Sequence, residues 1–165
     1  MVSGPGMLKV SGGDARPDDG GSIALYAQGD VIFEKDCSVN IISDTDSATN
    51  VGCWIEDGDL TFKDGSQIRI EGGKSGLSYG IYFINDLIYN LNAENWTGSL
   101  TATGFSGAIR CGGGKNACIN RDSKKIRLSG YTETGDRKGT LLDKETYKDN
   151  ALQKYIKLFF EGCDK

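Results

Sequence analysis

The sequence predicts an all-β fold: a right-handed, single-stranded parallel β-helix of about four rungs, three short strands per rung, with a C-terminal capping segment. Three observations predict it. Twenty-four glycines stand against two prolines in 165 residues, a composition of many tight turns. Short β-type triplets are separated by turn residues along most of the chain. One register also recurs every 28 residues: Tyr26, Trp54, Tyr82 and Arg110. The residues just before them are Leu25, Cys53, Ile81 and Ile109, and those just after are Ala27, Ile55, Phe83 and Cys111. Two places before them lie Ala24, Gly52, Gly80 and Ala108, all small. A unit of this length cannot bury its apolar face alone, whereas stacked units can.

Each unit reads as three strands. The first carries the aromatic column. A turn follows with Asp30, Asp59 or Asp86. The second strand is "VIF" from Val31, "LTF" from Leu60, "LIY" from Leu87 and "CIN" from Cys118. The third is "VNI" at Val39, "IRI" at Ile68, "LTA" at Leu100 and "IRL" at Ile126, and "LKVSGG" at Leu8 reads as the third strand of an earlier, truncated unit. Second and third strands start eight residues apart in three copies; the Leu87 unit breaks this with the insertion "NLNAENWTGS". Residues 7–130 are therefore expected to form the rungs and 131–165 a cap within one domain. In that cap, "TLLDKETYKDNALQ" has the composition of a short helix or turn and "KYIKLFFEG" that of a final strand. Equivalent residues on adjacent rungs would lie about 4.8 Å apart.

Composition narrows the function. The net charge is −4 with no dominant basic stretch, which argues against nucleic acid. The absence of histidine removes Ser-His-Asp and Cys-His catalysis and most zinc enzymes. No stretch is apolar enough to insert in a membrane. "MVSGPGMLKV" lacks the charged start and apolar core of a signal peptide and reads as a chain entering mid-architecture, so a fragment of a longer protein with neighbouring domains, or a mature form, is expected. The five cysteines are irregularly spaced and read as buried small hydrophobes, with a local Cys111–Cys118 bridge as the alternative.

Strand pleating assigns the faces. With the flanking apolar residues inward, Tyr26, Trp54, Tyr82 and Arg110 point outward as a ladder, and the small residues two places earlier point outward with them. Aromatic faces stack on the apolar faces of pyranose rings, and a guanidinium fork suits a sugar carboxylate, so these four are the candidate ligand-binding residues. Aromatics packing on one another to stabilise the sheet, and a covering protein surface, are the competing readings.

Asp30, Asp57, Asp59 and Asp86 are the candidate metal ligands, because stacked turn carboxylates repel unless a cation such as Ca²⁺ neutralises them. The plain alternative is that Asp after Gly forms the turn. "CGGGK" lacks the spacing of a phosphate loop, and "NWT" at Asn95 is a formal glycosylation acceptor. Trp96, in the insertion, is a second contact point or a plug. No residue is assigned a catalytic role.

The repeating units resemble those of carbohydrate-binding-domain-containing parallel β-helix proteins on the surfaces of Gram-positive anaerobes. "ALYAQGDVIF", "GCWIEDGDLTF", "GIYFINDLIY" and "IRIEGG" carry the resemblance, and "KYIKLFF" is similar to their terminal strand. The resemblance implies a fold like that of pectate-type polysaccharide lyases, an extracellular or cell-surface location, and polysaccharide and Ca²⁺ as ligands. The chain departs from the pattern at residues 90–99, at Glu56–Asp57, and in a fourth rung that lacks the turn Asp. The expected function is a non-catalytic polysaccharide-binding or adhesion module. The alternatives are a Ca²⁺-dependent lyase with Arg110 as base, better placed than Lys63, Arg69 or Arg127, and a purely structural spacer.

Overall fold

The computed structural model describes residues 6–12, 21–43, 47–58, 60–74, 76–83, 91–92, 98–112, 126–132, 140–141 and 155–162. These are almost entirely strands, arranged in three sheets. The first strands of successive units are β2 (Gly21–Ala27), β5 (Thr49–Ile55), β8 (Leu77–Phe83) and β11 (Gly107–Cys111), which form one four-stranded parallel sheet in the order β11-β8-β5-β2. The second strands are β3 (Val31–Phe33), β6 (Leu60–Phe62) and β9 (Leu91–Asn92), also parallel. The third are β1 (Gly6–Ser11), β4 (Cys37–Ile42), β7 (Gln67–Glu71) and β10 (Ser99–Thr103), parallel again. From β2 to β11 the chain visits the three sheets in rotation.

Register follows the repeat. Leu25 pairs with Cys53, Cys53 with Ile81 and Ile81 with Ile109, so like residues stack and fill the interior in columns. Leu8, Val39, Ile68 and Leu100 form another column, and "LKVSGG" is the third strand of a preceding unit as expected. Phe33 and Phe62 stack with ring centroids 5.4 Å apart and planes 14° from parallel. Burial of each large aliphatic or aromatic side chain contributes about 1.5–3 kcal/mol, and Phe33, Ile55, Leu60, Ile70, Ile81 and Leu100 are all fully buried in this core.

The corner between second and third strands takes a left-handed residue in the two units where it is described: Asp36 (φ 58°) and Gly65 (φ 72°). A Cβ on Gly65 would sit 2.1 Å from Asp36 Oδ1, a side-chain atom that can turn aside, so it is the left-handed backbone rather than lack of space that favours glycine there. At the corner after the third strand, amides stack on carbonyls of the next unit: Gly12 N–H on Ile42 O, Ser43 on Glu71 and Gly72 on Thr103. Inside this corner runs a polar column at the same 28-residue spacing, Ser22, Asn50 and Ser78, all buried. Ser43 Oγ donates to Ser22 O at 2.9 Å, Asn50 Nδ2 donates to Ser47 O at 2.7 Å, and Ser78 Oγ donates to Gly73 O while accepting from Phe105 N–H. These side chains replace water for loop backbone that the stacking has buried.

Three expectations are corrected. In the third unit the described second strand begins at Leu91, which pairs with Leu60, where Leu87 was expected to do so, and the added length falls largely before that strand. Residues 84–90 and "CIN" at Cys118 lie outside the described residues. The segment from Ile126, β12 (Ile126–Tyr131), does not stack on β10. The last strand, β14 (Lys157–Gly162), inserts between them and runs antiparallel to both, with β13 (Thr140–Leu141) beyond β12. Ala102 faces Leu158 in this register, and the corner pattern continues as Gly104 N–H bonds Ile156 O. β14 thus takes the place a further parallel strand would have held. It supplies the buried Leu158 to the core, and Tyr155, just before the strand, is buried there as well.

The third correction concerns the small column. Ala24, Gly52, Gly80 and Ala108 do not face outward. A Cβ on Gly52 would come within 2.7 Å of Glu71 O, Gly80 O and Ile70 Cγ2, and one on Gly80 within 2.7 Å of Ala108 O and 2.9 Å of Thr103 N. Strict alternation fails here: Gly80 and Ile81 are both buried, as are Ala108 and Ile109. The strand bends at the small residue, its inward phase slips by one position, and the next sheet approaches closely.

Candidate functional site

The bend places the outward residues of the first strands three apart rather than two. On β8, Tyr79 and Tyr82 share the outer face, with ring centroids 5.7 Å apart. The four candidate ligand-binding residues are adjacent in register: Tyr26 pairs with Trp54, Trp54 with Tyr82 and Tyr82 with Arg110. Tyr26 and Arg110 are exposed, while Trp54 and Tyr82 are half-buried.

The middle of this ladder is packed rather than flat. The Trp54 and Tyr82 rings lie 4.8 Å apart at 45°. Beside them Val51 is 0% exposed although it lies apart from the main core cluster. Its place on the outer face, beside the aromatic cluster, accounts for that burial. Trp54 Nε1 is buried with no acceptor among the described residues, a cost of about 1–3 kcal/mol that the ring's packing offsets.

At the open end, Tyr26 Oη donates to Glu56 Oε2, and Gln28 Nε2 donates to the same oxygen at 3.2 Å. The hydrogen bond to the carboxylate raises the Tyr26 pKa, with nearby negative charge adding to it, so the phenol stays protonated and keeps donating. Glu56 was not among the sequence candidates. The available signal was its position 28 residues after Gln28.

Apolar surface continues along the face. Leu77 is 57% exposed and Phe105, 28 residues later in the neighbouring unit, is 53% exposed. Phe105 borders a groove of about 260 Å³ at the corner after the third strands, walled by Ile42 and Ile156, floored by Gly72, Gly73 and Gly104, and edged by Glu71, Lys74 and Thr103. Glu71 also accepts from Arg69 at 2.6 Å.

The carboxylate candidates are placed differently. Asp30 and Asp57 are exposed, and Asp59 and Asp86 lie outside the described residues. Among the described residues, no three His, Cys, Asp or Glu side chains are grouped as a metal site. Cys37, Cys53 and Cys111 are buried, and burial pushes the Cys53 thiol up to about 12. Cys118, Asn95 and Trp96 lie outside the described residues. No helix among the described residues is long and apolar enough to cross a membrane. No family model, curated protein or solved structure matches this chain.

Proposed function

We propose that the chain is a non-catalytic extracellular module that binds polysaccharide on the outer face of its first-strand sheet, carried on a right-handed single-stranded parallel β-helix. The observation that carries the binding reading is the in-register column Tyr26, Trp54, Tyr82 and Arg110, extended by Tyr79 on the same face. An aromatic patch edged by a guanidinium offers stacking surface for sugar rings and a fork for an acidic substituent. The rotation of the chain through three parallel sheets supports the helical winding.

The structural-spacer reading draws on a different observation, the tilted packing of Trp54 on Tyr82 beside the buried Val51. Affinity-gel retardation on a polysaccharide panel separates the two. Binding predicts retardation by at least one neutral or uronate polymer, weakened in Arg110→Ala, whose side chain is exposed, and abolished in the Trp54→Ala/Tyr82→Ala double variant. Unretarded wild-type protein, or a double variant that is folded and retarded like wild type, refutes the aromatic face as a binding site.

A further inference from the structure

Building on that reading, we propose that the polysaccharide lies along β8, across the stack, with one sugar ring in the groove beside Phe105. The alternative course, along the ladder from Tyr26 to Arg110, meets a phenol already engaged by Glu56. The transverse course links the half-buried tyrosines of β8 to two exposed apolar side chains. It runs from Tyr82 to Tyr79, ring centroids 5.7 Å apart, then past the exposed Leu77 towards Phe105, exposed at the equivalent position 28 residues later. From residue 77 to 82 an extended strand covers about 16 Å, long enough for several sugar rings in a row.

The groove's chemistry selects the occupant. Its volume of about 260 Å³ falls just short of sites that enclose a drug-sized ligand, which suits a single ring. Its walls are apolar, from Ile42, Phe105 and Ile156, and its floor is glycine backbone that a ring can approach closely. Its edge carries Glu71, Lys74 and Thr103, an acceptor, a cation and a hydroxyl. A purely apolar guest would strip water from Lys74 and Glu71 without replacing it. A pyranose places its C–H face on the walls and its hydroxyls on that edge.

The experiment is a length series. Cello-oligosaccharides and oligogalacturonates of two to seven residues are titrated calorimetrically into wild type, Tyr82→Ala, Phe105→Ala and Thr103→Tyr. Phe105 is exposed and Thr103 half-buried, so neither replacement opens the core. The expected result is affinity that climbs with length in the wild type, with roughly tenfold of that gain lost in Phe105→Ala and Thr103→Tyr while the shortest ligands bind unchanged. Ligand binding that needs Tyr82 but is the same in both groove variants at every length overturns the transverse course and leaves the binding face standing. Absence of binding by any oligosaccharide to the wild type overturns both.

Discussion

Replacing Gly52 by alanine tests the bend that organises the outer face. The added carbon meets three atoms at 2.7 Å, two of them backbone carbonyl oxygens, Glu71 O and Gly80 O. Glu71 O already accepts the Ser43 amide at 2.9 Å, and Gly80 lies in the paired strand β8, so neither can retreat without disturbing a ladder. Overpacking of this kind costs about 1–3 kcal/mol. The lower chain entropy of alanine when unfolded returns about 0.4–1 kcal/mol. With rigid backbone on two sides the steric cost falls in the upper part of its range, and the net loss is about 2 kcal/mol. Gly21→Ala is the control: it lies in the same sheet, but its nearest contact, Thr49 O, is 3.5 Å away, an ordinary separation. Urea denaturation should show Gly52→Ala destabilised by that amount and Gly21→Ala unchanged or slightly stabilised. Equal midpoints for the two variants would mean that the small column faces open space and that the strand does not bend.

Phe33→Ala removes a fully buried ring stacked on Phe62 and should cost about 3–5 kcal/mol in the same denaturation. Ser78→Ala leaves the Gly73 carbonyl and the Phe105 amide without their buried partner, a loss of about 1–3 kcal/mol, and hydrogen exchange at the Phe105 amide should quicken. The Cys53 thiol, ordinarily at 9.0, is pushed up to about 12 by burial, so the folded state holds the proton that the unfolded chain releases. Its contribution is therefore complete below pH 9 and is lost as pH rises from there towards 12. Between pH 8 and pH 10, wild type should lose about 1 kcal/mol relative to Cys53→Ala, read from paired denaturation curves.

The repeat was legible because stacking makes equivalent residues neighbours in one buried column, and every member of such a column must be apolar. Leu25, Cys53, Ile81 and Ile109 pair in the structure as they align at the 28-residue spacing. The direction of Tyr26, Trp54, Tyr82 and Arg110 followed from local alternation, which holds on their side of the bend. The inward turn of Gly52 and Gly80 did not, because period-two alternation presumes a straight strand, and the bend arises from the approach of β7 and β10. The choice of Leu91 over Leu87 was not legible either, since both begin plausible short strands and only the partner Leu60 decides between them. The polar column of Ser22, Asn50 and Ser78 was readable at the same spacing. It is concealed by chemistry, as buried hydrogen-bonding residues resemble ordinary loop residues until their partners are known. Strand direction in the C-terminal segment has no local signature: "KLFFEG" pairs equally well either way, and its reversed course is a property of the whole sheet.

That reversal has a consequence for how the molecule assembles. Within the repeat, each finished unit presents an edge on which the next can form as it leaves the ribosome, so growth proceeds from one end to the other. β10 breaks the sequence. Its partner on the far side is not the next segment made but Lys157–Gly162, and β12, synthesised earlier, must also wait for that strand before it joins the sheet. Ala102 and the Gly104 amide remain uncovered until then. Assembly that begins vectorially therefore ends with a long-range closure, and the last step requires a segment made after every strand it unites.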